Sequence, residues 1–243
     1  MYVAMSGAKQ SFATQAIVAH NLANANTSGF RSDLYLFVSL PVYGPGHPTR
    51  VNPLAVQGGW EREPGGTQTT GRNLDVAIHG PGFIAVQAPD GTEAYTRAGD
   101  LQVDADGRLV TSAGYPVLGQ QGPITIPDST TIEIGGDGTI SVVAQGQGPE
   151  TVGAVERIKL VKPDVAALSK GEDGLMRLRN GAAADADDSV RLFAGSLEDS
   201  NVNVPEAMVN MIMVARQYET QVRMMHIANE NAAASQRLAG SAG

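Results

Sequence analysis

Side chains able to do chemistry are few in this chain, and their spacing is poor. The four histidines, His20, His47, His79 and His226, stand alone, with none of the short intervals that bring two imidazoles to one metal ion. Each reads as a structural histidine. The Asp-Ala-Asp-Gly run at 104–107 resembles part of a calcium loop, but the further spaced oxygens and the closing glutamate are missing, so it reads as a β-turn. Asp185–Asp188 reads as a solvated loop. With no cysteine, thiol nucleophiles, disulfides and thiolate metal sites are excluded. No phosphate-cradling glycine loop or nucleophile elbow occurs, and the glycines of His-Gly-Pro-Gly-Phe (79–83) separate two strands as turn residues. Carboxylates brought together by the fold are the remaining route to catalysis. Asp75, Asp100 and Asp104 are the first candidates, and a cell-wall-directed hydrolase or saccharide-binding β domain is the reading they would support. The expectation is otherwise a protein that is not an enzyme, with no cofactor, no metal and no small-molecule substrate.

The elements that would position such groups divide the 243 residues unevenly. A formal charge of −8 argues against nucleic acid or an anionic membrane as the main partner. Residues 1–33 carry a net +1 and residues 203–243 a net zero, so the middle holds the entire excess of acid. Near-neutral ends around an acidic centre suggest ends that meet protein and a centre that meets water. No apolar run is long enough to span a bilayer. The opening Met-Tyr-Val-Ala-Met-Ser-Gly-Ala-Lys-Gln lacks the basic-then-apolar order of a signal peptide, which predicts no export by the general secretory route.

Residues 1–27 read as a helix, with Met5, Ala8, Phe12, Ala19 and Leu22 in a three-four stripe and a second line through Phe12, Ala16 and Ala23. Residues 39–74 hold five prolines and seven glycines, which forbids a long helix and suggests an extended connector with at most one hairpin. Trp60 in that stretch is expected to be buried against the β domain. From Leu74 to about Ala194 the apolar period becomes two, punctuated by Asp-Gly and Gly-Gly turns, the pattern of an antiparallel sandwich or barrel-like sheet. The last segment is helical again. Val204, Met208, Met211, Ala215, Tyr218, Val222, Met225, Asn229 and Ala232 step by four and three as a heptad seam. Asn203, Pro205 and Glu206 mark its start. Five of the eight methionines lie here, and methionine suits surfaces that pack against several neighbours.

The predicted class is therefore α+β: N- and C-terminal helices pairing as a coiled-coil-like layer, a central antiparallel all-β domain, and an extended connector. The predicted boundaries are 1–33, 34–73, 74–196 and 197–243. Neither terminal helix can bury its stripe on itself, so the two ends are expected to pack together and then against other subunits.

Three segments carry a family resemblance. Asn-Leu-Ala-Asn-Ala-Asn-Thr-Ser-Gly-Phe-Arg-Ser-Asp (21–33) resembles the N-terminal signature of bacterial flagellar rod and hook proteins, with His20 where a second asparagine often stands. Residues 74–119 resemble the central domain of that family and residues 196–238 its C-terminal helix. The short length and the Ala-Arg-Gln-Tyr-Glu-Thr-Gln of 215–221 favour a proximal-rod member over a distal one. The resemblance implies a structural subunit, exported by the flagellar type III apparatus without a cleaved signal peptide. It would polymerise with other rod proteins and with its own copies into a hollow shaft that crosses the periplasm and transmits torque. The terminal helices would line the channel. Subunit contacts are then expected at Met5, Ala8, Phe12, Ala16, Ala19 and Leu22, at Asn21, Asn24 and Phe30, and along the C-terminal seam.

Overall fold

A computed structural model describes residues 2–41, 51–127, 129–144 and 152–240 of the protein. His47 lies outside them, as do the last three residues of the C-terminal segment. The architecture is α+β: a helix, a mostly antiparallel β region and a second helix. The chain forms two compact units. One gathers Met1–Ala25, Ser32–Trp60 and Val202–Gly243, and the other Asn26–Arg31 and Glu61–Asn201.

In the first unit, helix α1 covers Tyr2–Ala23, ending short of the residue 27 suggested by the apolar pattern. The asparagines close it. The Asn24 amide N–H is shared between the carbonyls of His20 and Asn21, and the Ala25 N–H turns back to Leu22, so the last turn tightens. The Asn24 side chain donates to the His20 carbonyl at 2.9 Å, satisfying one of the groups a helix end leaves open.

Helix α2 covers Val204–Gly240, and its 37 residues make it about 55 Å long at the α-helical rise. Asn203 caps it, its side-chain oxygen accepting from the Glu206 N–H at 3.3 Å while its carbonyl takes the Ala207 N–H at 2.9 Å. The two helices pack against each other. At Gly7 the approach is close: an added Cβ would lie 2.8 Å from the Gln221 side chain, so a larger residue would force that glutamine aside.

The proline- and glycine-rich stretch is not featureless. Strands β1 (Asp33–Pro41) and β2 (Val51–Trp60) form an antiparallel hairpin, with Asp33 opposite Trp60, Pro41 opposite Val51 and a register shift after Leu34. Proline is tolerated here because a two-stranded ribbon is all edge. Trp60 is buried, but as the last residue of this hairpin within the helical unit and not as part of the β core.

The second unit is built on antiparallel pairs. A five-stranded sheet runs Leu160–Val161, Phe83–Gln87, Glu93–Thr96, Met176–Leu178 and Leu168–Lys170 in spatial order. A three-stranded sheet joins Val152–Arg157, Thr139–Ala144 and Ser129–Ile134, and short two-stranded pairs fill the rest. The Asp-Gly signals sit at chain reversals between Phe83–Gln87 and Glu93–Thr96, Leu101–Val103 and Leu109–Thr111, and Ser129–Ile134 and Thr139–Ala144. In each, an aspartate oxygen accepts the N–H two residues on: Asp90 from Thr92, Asp104 from Asp106, Asp137 from Thr139. Turn hydrogen bonds hold all three carboxyls below their ordinary value: the Thr92 hydroxyl and then its N–H for Asp90, the Arg108 N–H and then that of Asp106 for Asp104, and the Thr139 N–H and then its hydroxyl for Asp137. The runs at 115–119 and 123–127 form isolated bridges rather than strands, since their amides pair singly with several neighbours.

The core beneath these sheets is aliphatic, with Val76, Ile84, Val86, Leu101, Leu109 and Ile140 fully covered. Tyr95 is buried with them. Its hydroxyl donates to Glu93 at 3.0 Å and takes the Ala184 N–H at 2.6 Å, and burial pushes its pKa up to about 12.

Candidate assembly interface

The helices are covered along lines that differ from the stripes read in the sequence. On α1 the covered side runs through Ala4, Ala8, Ser11, Thr14, Val18 and Asn21, a face of small and polar residues. Ala8 is therefore shielded by its own chain. Met5, Phe12, Ala16 and Ala19 point outward, Phe12 at 65% exposure, and Leu22 is half-buried. On α2 the covered line is Ala207, Met211, Val214, Gln221, Met225 and Ala228, which shares only Met211 and Met225 with the heptad seam. Val204, Met211, Ala215 and Met225 are half-buried. Met208, Tyr218, Val222, Asn229 and Ala232 are exposed.

The shift has a physical cause. A helix with apolar residues around most of its circumference offers more than one heptad line, and periodicity alone cannot rank them. Val209, Ile212, Met213, Met224 and Ile227, off the seam, are exposed as well, Ile212 at 55%. These residues were not singled out in the sequence, although their density along 208–227 was the available signal. Together with the exposed Leu36, Phe37 and Val38 of β1, they leave the helical unit with apolar surface that its own fold does not cover.

The Asn-rich exit of α1 is held by a different chemistry. The Asn21 carboxamide faces the backbone of Asp33, donating to its carbonyl at 2.9 Å and accepting its N–H at 2.8 Å. His20 Nδ1 lies 2.7 Å from the Asp33 carboxylate. In the β unit, Phe30 is buried with the Lys170 ammonium 4.0 Å from its ring centre, and Lys170 also donates to the Arg31 carbonyl at 2.7 Å. Gly29 adopts φ +64°, and a Cβ there would sit 2.2 Å from the Arg97 carbonyl carbon. Both the conformation and the space require glycine. Asn21, Asn24 and Phe30 thus have partners within the chain.

Two of the three carboxylates singled out for hydrolysis, Asp75 and Asp104, are engaged structurally. Asp75 is buried and takes hydrogen bonds from Thr70 at 2.6 Å and Arg72 at 2.8 Å. Asp104 serves its own turn and pairs with Arg108 at 3.1 Å. Asp75 and Asp100 are backbone neighbours across an isolated bridge. Among the described residues, no group of three or more histidine, aspartate or glutamate side chains is placed to hold a metal ion.

Three family models match the chain in the order of its parts. The flagella basal body rod protein model covers residues 1–31, the flagellar hook protein FlgE/F/G D1 domain 77–142, and the flagellar basal body rod FlgEFG protein C-terminal model 194–238. These define a flagellar axial protein with rod-type ends. The likeness extends over almost the whole length in two relatives. The chain is 42% identical over 244 residues to the flagellar basal-body rod protein FlgF of Escherichia coli K12, covering 98% of this chain and 97% of that one. It is 44% identical over 237 residues to FlgF of Salmonella typhimurium LT2, covering 95% and 94%. FlgG of Buchnera aphidicola subsp. Schizaphis graminum is 35% identical over 237 residues, covering 88% and 89%. The chain belongs to the flagellar basal-body rod protein family. Its relatives are structural proteins and not enzymes.

Proposed function

We propose that this rod-family chain is a proximal-rod subunit. It polymerises with other rod proteins and with its own copies into the hollow shaft that crosses the periplasm and transmits torque to drive motility. It leaves the cytoplasm through the flagellar type III apparatus. Residues 1–33 and 197–243 are the rod-forming ends, and α1 and α2 pair as a coiled-coil-like layer at the channel wall.

The observation that carries this reading is the uncovered apolar surface of the helices, in a chain similar over nearly its full length to FlgF proteins. Met5, Phe12, Ala16 and Ala19 of α1 and Met208, Tyr218 and Val222 of α2 face neighbouring subunits, with Val209, Ile212 and Met213 beside them. Helical lattices use non-identical patches, so one helix must be apolar on several sides. A clean deletion should abolish swimming and stop basal bodies before the distal rod, and normal swimming in that strain would overturn the proposal. A distal-rod position is the second reading, supported by the 35% identity to a FlgG. Locating a tagged copy in an imaged basal body separates the two.

A further inference from the structure

The chain passes between its two units four times, at 25/26, 31/32, 60/61 and 201/202. Inside the β unit, the residues next to all four passes are tied to one another. Glu198 lies at the centre, buried to 2% exposure. One of its carboxylate oxygens pairs with Arg31 at 2.7 Å and the other with Arg97 at 2.7 Å. Its carbonyl accepts the Gly29 N–H at 2.8 Å. Arg31 reaches on to the Glu63 carbonyl. Asn201 closes the circuit: its side chain donates to the same Glu63 carbonyl at 2.9 Å, and its backbone N–H donates to the Phe30 carbonyl at 3.3 Å. The Asp199 N–H adds a bond to Gly66 at 2.7 Å.

Arg97 fixes the group to the core. Its guanidinium donates to the carbonyls of Ile78 at 3.3 Å, Gly80 at 3.1 Å and Gly82 at 2.9 Å. One carboxylate between two arginines, all desolvated, is retained only where each charge is met, and loss of any one leaves the others exposed to a low-dielectric surround.

We infer that the Arg31–Glu198–Arg97 clasp, completed by Asn201, is a joint that binds the four interunit passes into a single cooperative element. The β-unit ends of the four connections then open together. This joint does not rest on the shaft reading above.

Hydrogen exchange on the whole chain in solution tests it without a rod. The reporters are the Gly29, Asp199 and Asn201 amides, with Ala85 and Leu109 as references inside the sheets. Glu198→Gln should speed exchange at the three reporters together, by at least tenfold, and leave the references unchanged. Asn201→Ala, which leaves the charged groups in place, should accelerate Gly29 and Asp199 together as well. The inference is overturned if each variant loosens only its own neighbour, if the references speed up equally, or if nothing changes. A non-motile deletion strain combined with uncoupled reporters would remove the joint and leave the proposed function standing.

Discussion

The two units bury opposite things. The β unit hides branched aliphatic side chains and leaves its turns of aspartate and glycine to water. The helical unit covers Ala8, Ser11 and Thr14 on α1 while Phe12, Ile212 and Met213 stay outside. By the usual logic of burial the first is a finished domain and the second is turned inside out. The contrast teaches that the helices keep apolar surface which their own chain leaves uncovered, as the proposed assembly requires. Their internal contact of small residues permits close approach of the backbones and little hydrophobic gain, so much of their apolar surface stays uncovered in the single chain.

Four measurements would break or sharpen that contrast. In the β unit, Ile84→Ala removes a fully covered side chain and should cost about 2–5 kcal/mol in chemical denaturation. A loss under 1 kcal/mol would mean the sheets are loosely packed. In the helical unit, Asn21→Ala strips the Asp33 N–H and carbonyl of their partner and should cost about 1–3 kcal/mol, read as faster exchange of the Asp33 amide. Phe12→Ser should change the stability of the free chain by no more than about 0.5 kcal/mol, yet abolish incorporation into basal bodies; a large loss of stability would show that Phe12 belongs to an internal core.

The smallest effect is in acid. Asp90, Asp104 and Asp137 have carboxyls lowered from 3.8 by turn hydrogen bonds, so their stabilisation is complete above that value and fades as pH falls through the lower folded values. The melting temperature should be insensitive to these groups from neutrality to about pH 5 and decline slightly below pH 4. A decline already under way at pH 6 would point to other groups.

The parts that could be read from the sequence are those whose causes are local. Asp-Gly turns carry their own hydrogen bonds, as Asp104 does with Asp106, and Asn203 caps α2 within three residues. Of the β1–β2 hairpin only the possibility was legible, because the prolines and glycines of 39–74 blurred the strand that pairs with the Leu-Tyr-Leu-Phe-Val run of 34–38. The covered line of α2 depends on which face α1 meets, a choice made in three dimensions among nearly equivalent stripes. The Arg97–Glu198 pair spans 101 residues, and nothing near either one announces the other. Asn21 was conspicuous for its type, but its partner Asp33 became apparent only once β1 was placed.

A subunit that polymerises as proposed must do so in one manner alone. The hairpin is a hazard in that respect, because a free strand edge accepts any other strand and invites cross-β growth in place of ordered helical stacking. At Asp33, where β1 begins, the Asn21 carboxamide occupies both the N–H and the carbonyl with the same donor and acceptor pair that an incoming peptide would bring. A side chain stands in for a strand and takes its seat. The asparagine thereby closes the first position of β1 from which a stray sheet could propagate.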